Sequence, residues 1–67
     1  MNQRRYIDKL TSWFGETPFT ILQSGEVPGA LSPTMFFNVT SDSEMMHIRV
    51  YKRNGRLKVH LVESVTI

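Results

Sequence analysis

The dipeptide Asn54-Gly55 lies between two stretches, 45–53 and 56–62, in which apolar and polar residues alternate. Both central positions of a type I′ turn need positive φ, which Asn tolerates and Gly adopts freely. The pair therefore predicts a β-hairpin with a two-residue loop. A loop of fixed length sets the register of its strands. Arg53 then faces Arg56, Tyr51 faces Lys58, Val50 faces Val59, Arg49 faces His60 and Ile48 faces Leu61. Residues 34–40 alternate as well, and the polar turn Ser41-Asp42-Ser43-Glu44 joins them to 45–53. That turn sets Phe37 against Ile48, Phe36 against Arg49, Met35 against Val50 and Asn38 against His47. The two registers agree on which face is which.

One face of the expected sheet carries Met35, Phe37, Val39, Met46, Ile48, Val50, Leu57, Val59 and Leu61, with Phe19 and Ile21 extending it. The other carries Phe36, Asn38, His47, Arg49, Tyr51, Arg53, Arg56, Lys58, His60 and Val62. The apolar face needs a cover, and residues 3–14 supply one. Tyr6, Ile7, Leu10, Trp13 and Phe14 fall within an arc of about 120°, the width of a core-facing helical stripe. Asn2 stands at the N-cap, Gly15 at the stop, and Pro18 prevents continuation. Trp13 and Phe14 are read as core residues. A first strand is expected at 18–23, followed by a loop over 24–33 that is rich in Gly and Pro and long for so small a domain. The expected fold is α+β: an N-terminal helix packed on one face of a three- to four-stranded antiparallel sheet, order α-β-β-β-β, within a single domain spanning 1–67.

The chain has 67 residues and no cysteine, so neither a disulfide nor a thiolate metal site reinforces it. A core of this size is marginal and leaves little room for a buried active site with a cofactor. No nucleophile–base–orienter set, acid pair or glycine-rich phosphate loop is present, so neither catalysis nor a cofactor is expected. His47 and His60 share a face, but Arg49 lies between them and no third ligand is evident, so no metal site is expected. No apolar stretch approaches the ~20 residues of a membrane span. Met1-Asn2-Gln3-Arg4-Arg5 is not followed by the apolar run of a signal peptide. A cytoplasmic protein without a membrane partner is the expectation.

Charge is unevenly placed. Five of the eight cations, Arg49, Lys52, Arg53, Arg56 and Lys58, fall in one short stretch that contains none of the six acids. Phe36, Arg49, Tyr51, Arg53, Arg56 and Lys58 then share the uncovered face. Cations for phosphates beside flat rings for bases are what nucleic-acid binding needs. The same residues suit an acidic protein surface, or a solvated face whose charges deter aggregation. Phe36 over Arg49 is a further candidate, as a cross-strand cation–π pair. In the expected register Glu63 faces Met46, so the last four residues overhang the neighbouring strand. An unpaired, β-prone end invites pairing with a second copy, giving a homodimer through the C-terminal strand, or pairs with the 18–23 strand of the same chain, or frays.

The order helix–strand–strand–strand is similar to double-stranded-RNA-binding domains, although the C-terminal helix of that family is missing. It is also similar to the first part of phosphotyrosine-binding SH2 domains. There Ile21-Leu22-Gln23-Ser24 falls where that family carries a phosphate-binding arginine, and this strand has none. Fold order does not license function. The sequence thus points to a non-enzymatic binding module that engages nucleic acid or another polyanion through the basic, aromatic face. The alternative is a protein-interaction module, an inhibitor or adaptor of the phage or mobile-element type. It would hold a host protein through the C-terminal strand edge or the 24–33 loop.

Overall fold

The computed structural model describes residues Met1–Ile67. Helix α1 (Gln3–Phe14) is followed by strands β1 (Thr20–Glu26), β2 (Thr34–Ser41), β3 (Glu44–Arg53) and β4 (Arg56–Thr66). The strands form one antiparallel sheet in the order β1-β2-β3-β4, and α1 lies across β3 and β4. This is the expected α+β arrangement, with all four strands present.

Both inner hairpins close through two residues at positive φ. Asn54 and Gly55 have φ of 52° and 76°, and Asp42 and Ser43 have φ of 47° and 63°. Positive φ at both loop positions is the type I′ pattern, whose twist matches that of the flanking strands. The second loop is tighter than the four-residue turn read from the sequence. Ser41 and Glu44 belong to the strands and pair with each other. Every cross-strand pair expected for β2–β3 is present, including Phe37 with Ile48 and Phe36 with Arg49. The β3–β4 pairs from Arg53 with Arg56 to Ile48 with Leu61 are also as expected.

The core follows from these registers. Met35, Phe37 and Val39 of β2 and Ile48 and Val50 of β3 are buried on one face beneath Tyr6 and Leu10 of α1. Ile7, Phe14, Phe19, Ile21, Met46, Leu57 and Val59 pack around them, partly buried. The Tyr6 hydroxyl donates to the Pro33 carbonyl (3.2 Å), and the Ser41 hydroxyl donates to the Pro18 carbonyl (2.7 Å). These bonds satisfy polar groups at opposite ends of the core, as buried polar groups require.

Several expectations are corrected. Trp13 is 44% exposed and meets Phe14 edge-on, with ring centroids 5.1 Å apart. It lies at the margin of the stripe, so the helix turns it away from the sheet. Phe14 does pack inward, stacked on Phe19 at 4.3 Å. Leu61 points to the core face but is 40% exposed, because it sits on the edge strand beyond the helix's cover. Asn2 occupies the N-cap position without a side-chain capping bond, whereas Gly15 stops the helix at φ 62°.

Strand β1 starts and ends later than the 18–23 expectation, so the connecting loop shrinks to 27–33. Gly25 reads as loop in isolation, but it pairs with Phe36, and the Phe36 ring fills the space a side chain at 25 would need. A glycine inside a strand commonly marks such a close approach. The loop is drawn shut by a bond from the Val27 N–H to the Thr34 carbonyl, 2.9 Å, and Gly29 turns it at φ 74°.

The C-terminal overhang does not exist. Strand β4 carries a bulge where Ile48 pairs with Leu61 but His47 pairs with Glu63, leaving Val62 as the extra residue. Beyond it, Ser64, Val65 and Thr66 pair with Met46, Met45 and Glu44, and the Ile67 N–H donates to the Ser43 carbonyl. The end of the chain is therefore an integral part of the sheet, paired with β3 and not with β1.

The core and the C-terminal pairing are each open to a stability measurement. Leu10→Ala should cost roughly 2–5 kcal/mol, the range for large-to-small core changes. Trp13→Ala should cost less than half as much, both read by urea unfolding. Deleting residues 64–67 should lower the melting temperature by several degrees, since it removes paired backbone. A truncated protein as stable as the full chain would contradict the pairing of β4 with β3.

Candidate nucleic-acid interface on the outer face of the sheet

The helix covers one side of the sheet, and no element of the chain covers the other. Residues directly opposite in an antiparallel pair point to the same side. The pairs Arg53–Arg56, Tyr51–Lys58, Arg49–His60 and Phe36–Arg49 therefore place all six expected site residues on this outer face. Arg49, Arg53, Arg56 and Lys58 are exposed, and Tyr51 and Phe36 are half-buried. The single ion pair of the molecule is Arg4 with Asp8 on the helix, 3.1 Å. The four cations of the face are thus uncompensated, and their mutual repulsion falls when a polyanion lies across them.

Phe36 is placed differently from the cation–π expectation. Its ring lies over Gly25, so close that a Cβ there would come within 3.0 Å of Cε1, and it stacks on His47 at 6.0 Å and 25°. One side of the ring is occupied by the sheet, which leaves Tyr51 as the aromatic that stands among the cations.

The loop 27–33 borders this surface. Ala30, Leu31 and Ser32 share a shallow depression with Arg49, Tyr51 and His60, and Leu31 is fully exposed at the loop tip. At the opposite end of the face the chemistry changes. Gln23, Asn38, His47 and Glu63 form a row across all four strands. Asn38 Nδ2 donates to Gln23 Oε1 (3.2 Å), so Asn38 Oδ1 is the acceptor toward His47 Nδ1, at 2.5 Å. Leu22, Met45 and Val65 join the row to line a trough of about 550 Å³. No group of three or more His, Asp or Glu residues is arranged to hold a metal ion.

Glu63, Val65, Leu22 and Gln23 escaped the sequence reading because strict alternation puts Glu63 and Val65 on the core side. Two bulges move them. Leu22 has no partner between Ile21–Val39 and Gln23–Asn38, and Val62 has none between Leu61 and Glu63. Each inserted residue flips the parity of the strand beyond it. The available signal is an apolar doublet, Ile21-Leu22 and Leu61-Val62, that interrupts the alternation of each edge strand.

Comparison with family models, curated proteins and solved structures finds no match to this chain. The reading of the face therefore rests on its own geometry.

The polar row is open to a direct test. A double-mutant cycle on Asn38→Ala and His47→Ala should return a coupling of about 0.5–1.5 kcal/mol, the net worth of an ordinary hydrogen bond. Additive effects would show that the two side chains do not act together.

Proposed function

We propose that this chain is a non-enzymatic binding module that takes a polyanion, nucleic acid first among them, on the outer face of β3 and β4. The observation that carries the reading is the register. Arg53 with Arg56 and Tyr51 with Lys58 stand side by side on adjacent strands, with Arg49 one step further along, and none of these cations has an acidic partner. Five cations in a short stretch can be divided between the two sides of a sheet. Here four of them point the same way, and Lys52, opposite Leu57 on the helix side, is the exception.

A second reading keeps the surface and changes the partner. Leu31 is fully exposed beside Arg49, Tyr51 and His60, which is the arrangement of an apolar anchor next to a charged patch. An acidic protein held by the cations and by Leu31 would make the chain an inhibitor or adaptor. Pairing of a second copy along β4 has lost the overhang that favoured it. What remains is a free edge interrupted by the bulge at Val62, and bulges blunt edge-to-edge association.

Affinity for nucleic acid should fall steeply with salt, since each neutralised phosphate adds about 0.7 (single strand) or 0.9 (duplex) to the slope of log K against log salt. Replacing Arg53 and Arg56 with Gln should lower the slope by up to two phosphate equivalents, whereas Lys52→Gln should leave it nearly unchanged. Fluorescence anisotropy with a labelled oligonucleotide reads both. An acidic protein partner predicts instead no affinity for oligonucleotides and sensitivity to Leu31→Ser. A Lys52 effect as large as that of Arg53 would remove the same-face argument.

A further inference from the structure

The cations of the hairpin do not stop at the outer face. Strand β4 is the edge of the sheet, and α1 packs beside it on the other side. Arg5, Lys9 and Ser12 of the helix and Gly55, Arg56 and Lys58 of the hairpin line one open cleft of about 640 Å³. Asp8 also lines it, but its carboxylate accepts from Arg4 Nε at 3.1 Å. The edge strand is thus flanked by cations on both sides. Arg49 and Arg53 stand on the outer face, Arg5 and Lys9 on the helix face, and Arg56 and Lys58 at the boundary between them.

The backbone sharpens this arrangement. Tyr51 pairs with Thr34, the first residue of β2, and the Lys52 N–H still bonds the Pro33 carbonyl; beyond Lys52 the hairpin continues as a two-stranded ribbon through Arg53–Arg56 and the Asn54-Gly55 turn. At about 3.3 Å per residue that ribbon, with its turn, projects roughly 7 Å past Lys52. The first turns of α1 lie at the same end, because the Tyr6 hydroxyl and the Lys52 N–H both donate to the Pro33 carbonyl. The positive end of the helix dipole adds to the field of the side chains there. Asp42 and Glu44 occupy the opposite end, at the β2–β3 turn.

A single strand laid on the outer face would use one flank and leave Arg5 and Lys9 idle. It would also want Phe36 as a stacking platform, and that ring is engaged by Gly25 and His47. A groove of a duplex has phosphates on both walls. The major groove of B-form DNA, about 12 Å wide, admits a two-stranded β-ribbon. The major groove of A-form RNA is too deep and narrow to be entered this way. We infer that the ligand is B-form duplex DNA, with the β3–β4 ribbon in its major groove and the cations of the two flanks on phosphates of opposite strands. This rests on the nucleic-acid reading above and goes beyond it in naming the duplex and in adding Arg5 and Lys9.

The test uses the full chain, a labelled A·T-rich DNA duplex, the RNA duplex of corresponding sequence and a single-stranded oligo(dT). The DNA duplex should bind tightest at equal salt. Arg5→Gln with Lys9→Gln should lower the duplex salt slope by up to about 1.8, two contacts at 0.9 each. Both residues are exposed, so the melting temperature should hold. Distamycin, which fills the minor groove of A·T duplexes, should not displace the protein. An unchanged slope in the Arg5/Lys9 variant, preference for oligo(dT) or duplex RNA, or displacement by distamycin would each overturn the duplex geometry while leaving the outer-face reading standing. Failure of the wild-type chain to bind any of the three nucleic acids would overturn both the duplex geometry and the nucleic-acid reading on which it rests.

Discussion

Everything in this structure depends on the pairing of Phe37 with Ile48. That pair, with Met35–Val50 on one side and Val39–Met46 on the other, assembles on one face of β2 and β3 five of the seven buried core residues. A domain of this size has no second core to fall back on. Because side chains alternate, a one-residue slip of β3 against β2 would turn Ile48 and Val50 to solvent and bring Arg49 to the face beneath the helix, separating them from Phe37. The tight turn at Asp42-Ser43 guards against that slip by allowing one register only. Leu10, fully buried, closes the arrangement from above.

The same pairing creates the uncovered face of the sheet. If the apolar residues of β3 face the helix, the residues between them must face away, and in this chain those include Arg49, Tyr51 and Arg53. The outer face is therefore the complement of the core pattern. With one helix and four strands, only one side of the sheet can be covered. The uncovered side is divided into a cationic region at the β3–β4 tip and a neutral-to-acidic row of Gln23, Asn38, His47 and Glu63 toward the other end.

Both edge strands carry a bulge, at Leu22 and at Val62. A short sheet with two free edges is exposed to edge-to-edge association, and a bulge bends and twists an edge away from a flat partner. The bulges also deliver Glu63 and Val65 to the outer face. That builds the trough around His47 and places an acid opposite His47, away from the Arg53–Arg56 tip. Folding and surface chemistry are thus set by the same two inserted residues.

Much of this was legible in the sequence because it is local. Asn54-Gly55 states its turn through positive φ, the alternation of 34–40 and 45–53 states the faces, and residues 3–14 state an amphipathic helix. The β2-β3-β4 order, the inner registers and the common side of Phe36, Arg49, Tyr51, Arg53, Arg56 and Lys58 derive from these local patterns, whereas the place of β1 beside β2 does not. What escaped depends on contacts between residues far apart in the chain. Gly25 is a strand residue only because the Phe36 ring covers it. Trp13 is exposed because the docking angle of α1 favours Leu10 and Phe14, a choice that the width of an apolar stripe does not make. Glu63 changes face because β4 gains a residue relative to β3, and Arg5 and Lys9 meet Arg56 and Lys58 because the helix settles beside the edge strand. Periodicity along one segment determines which residues can share a face; only packing between segments decides where the pattern is interrupted and which faces meet.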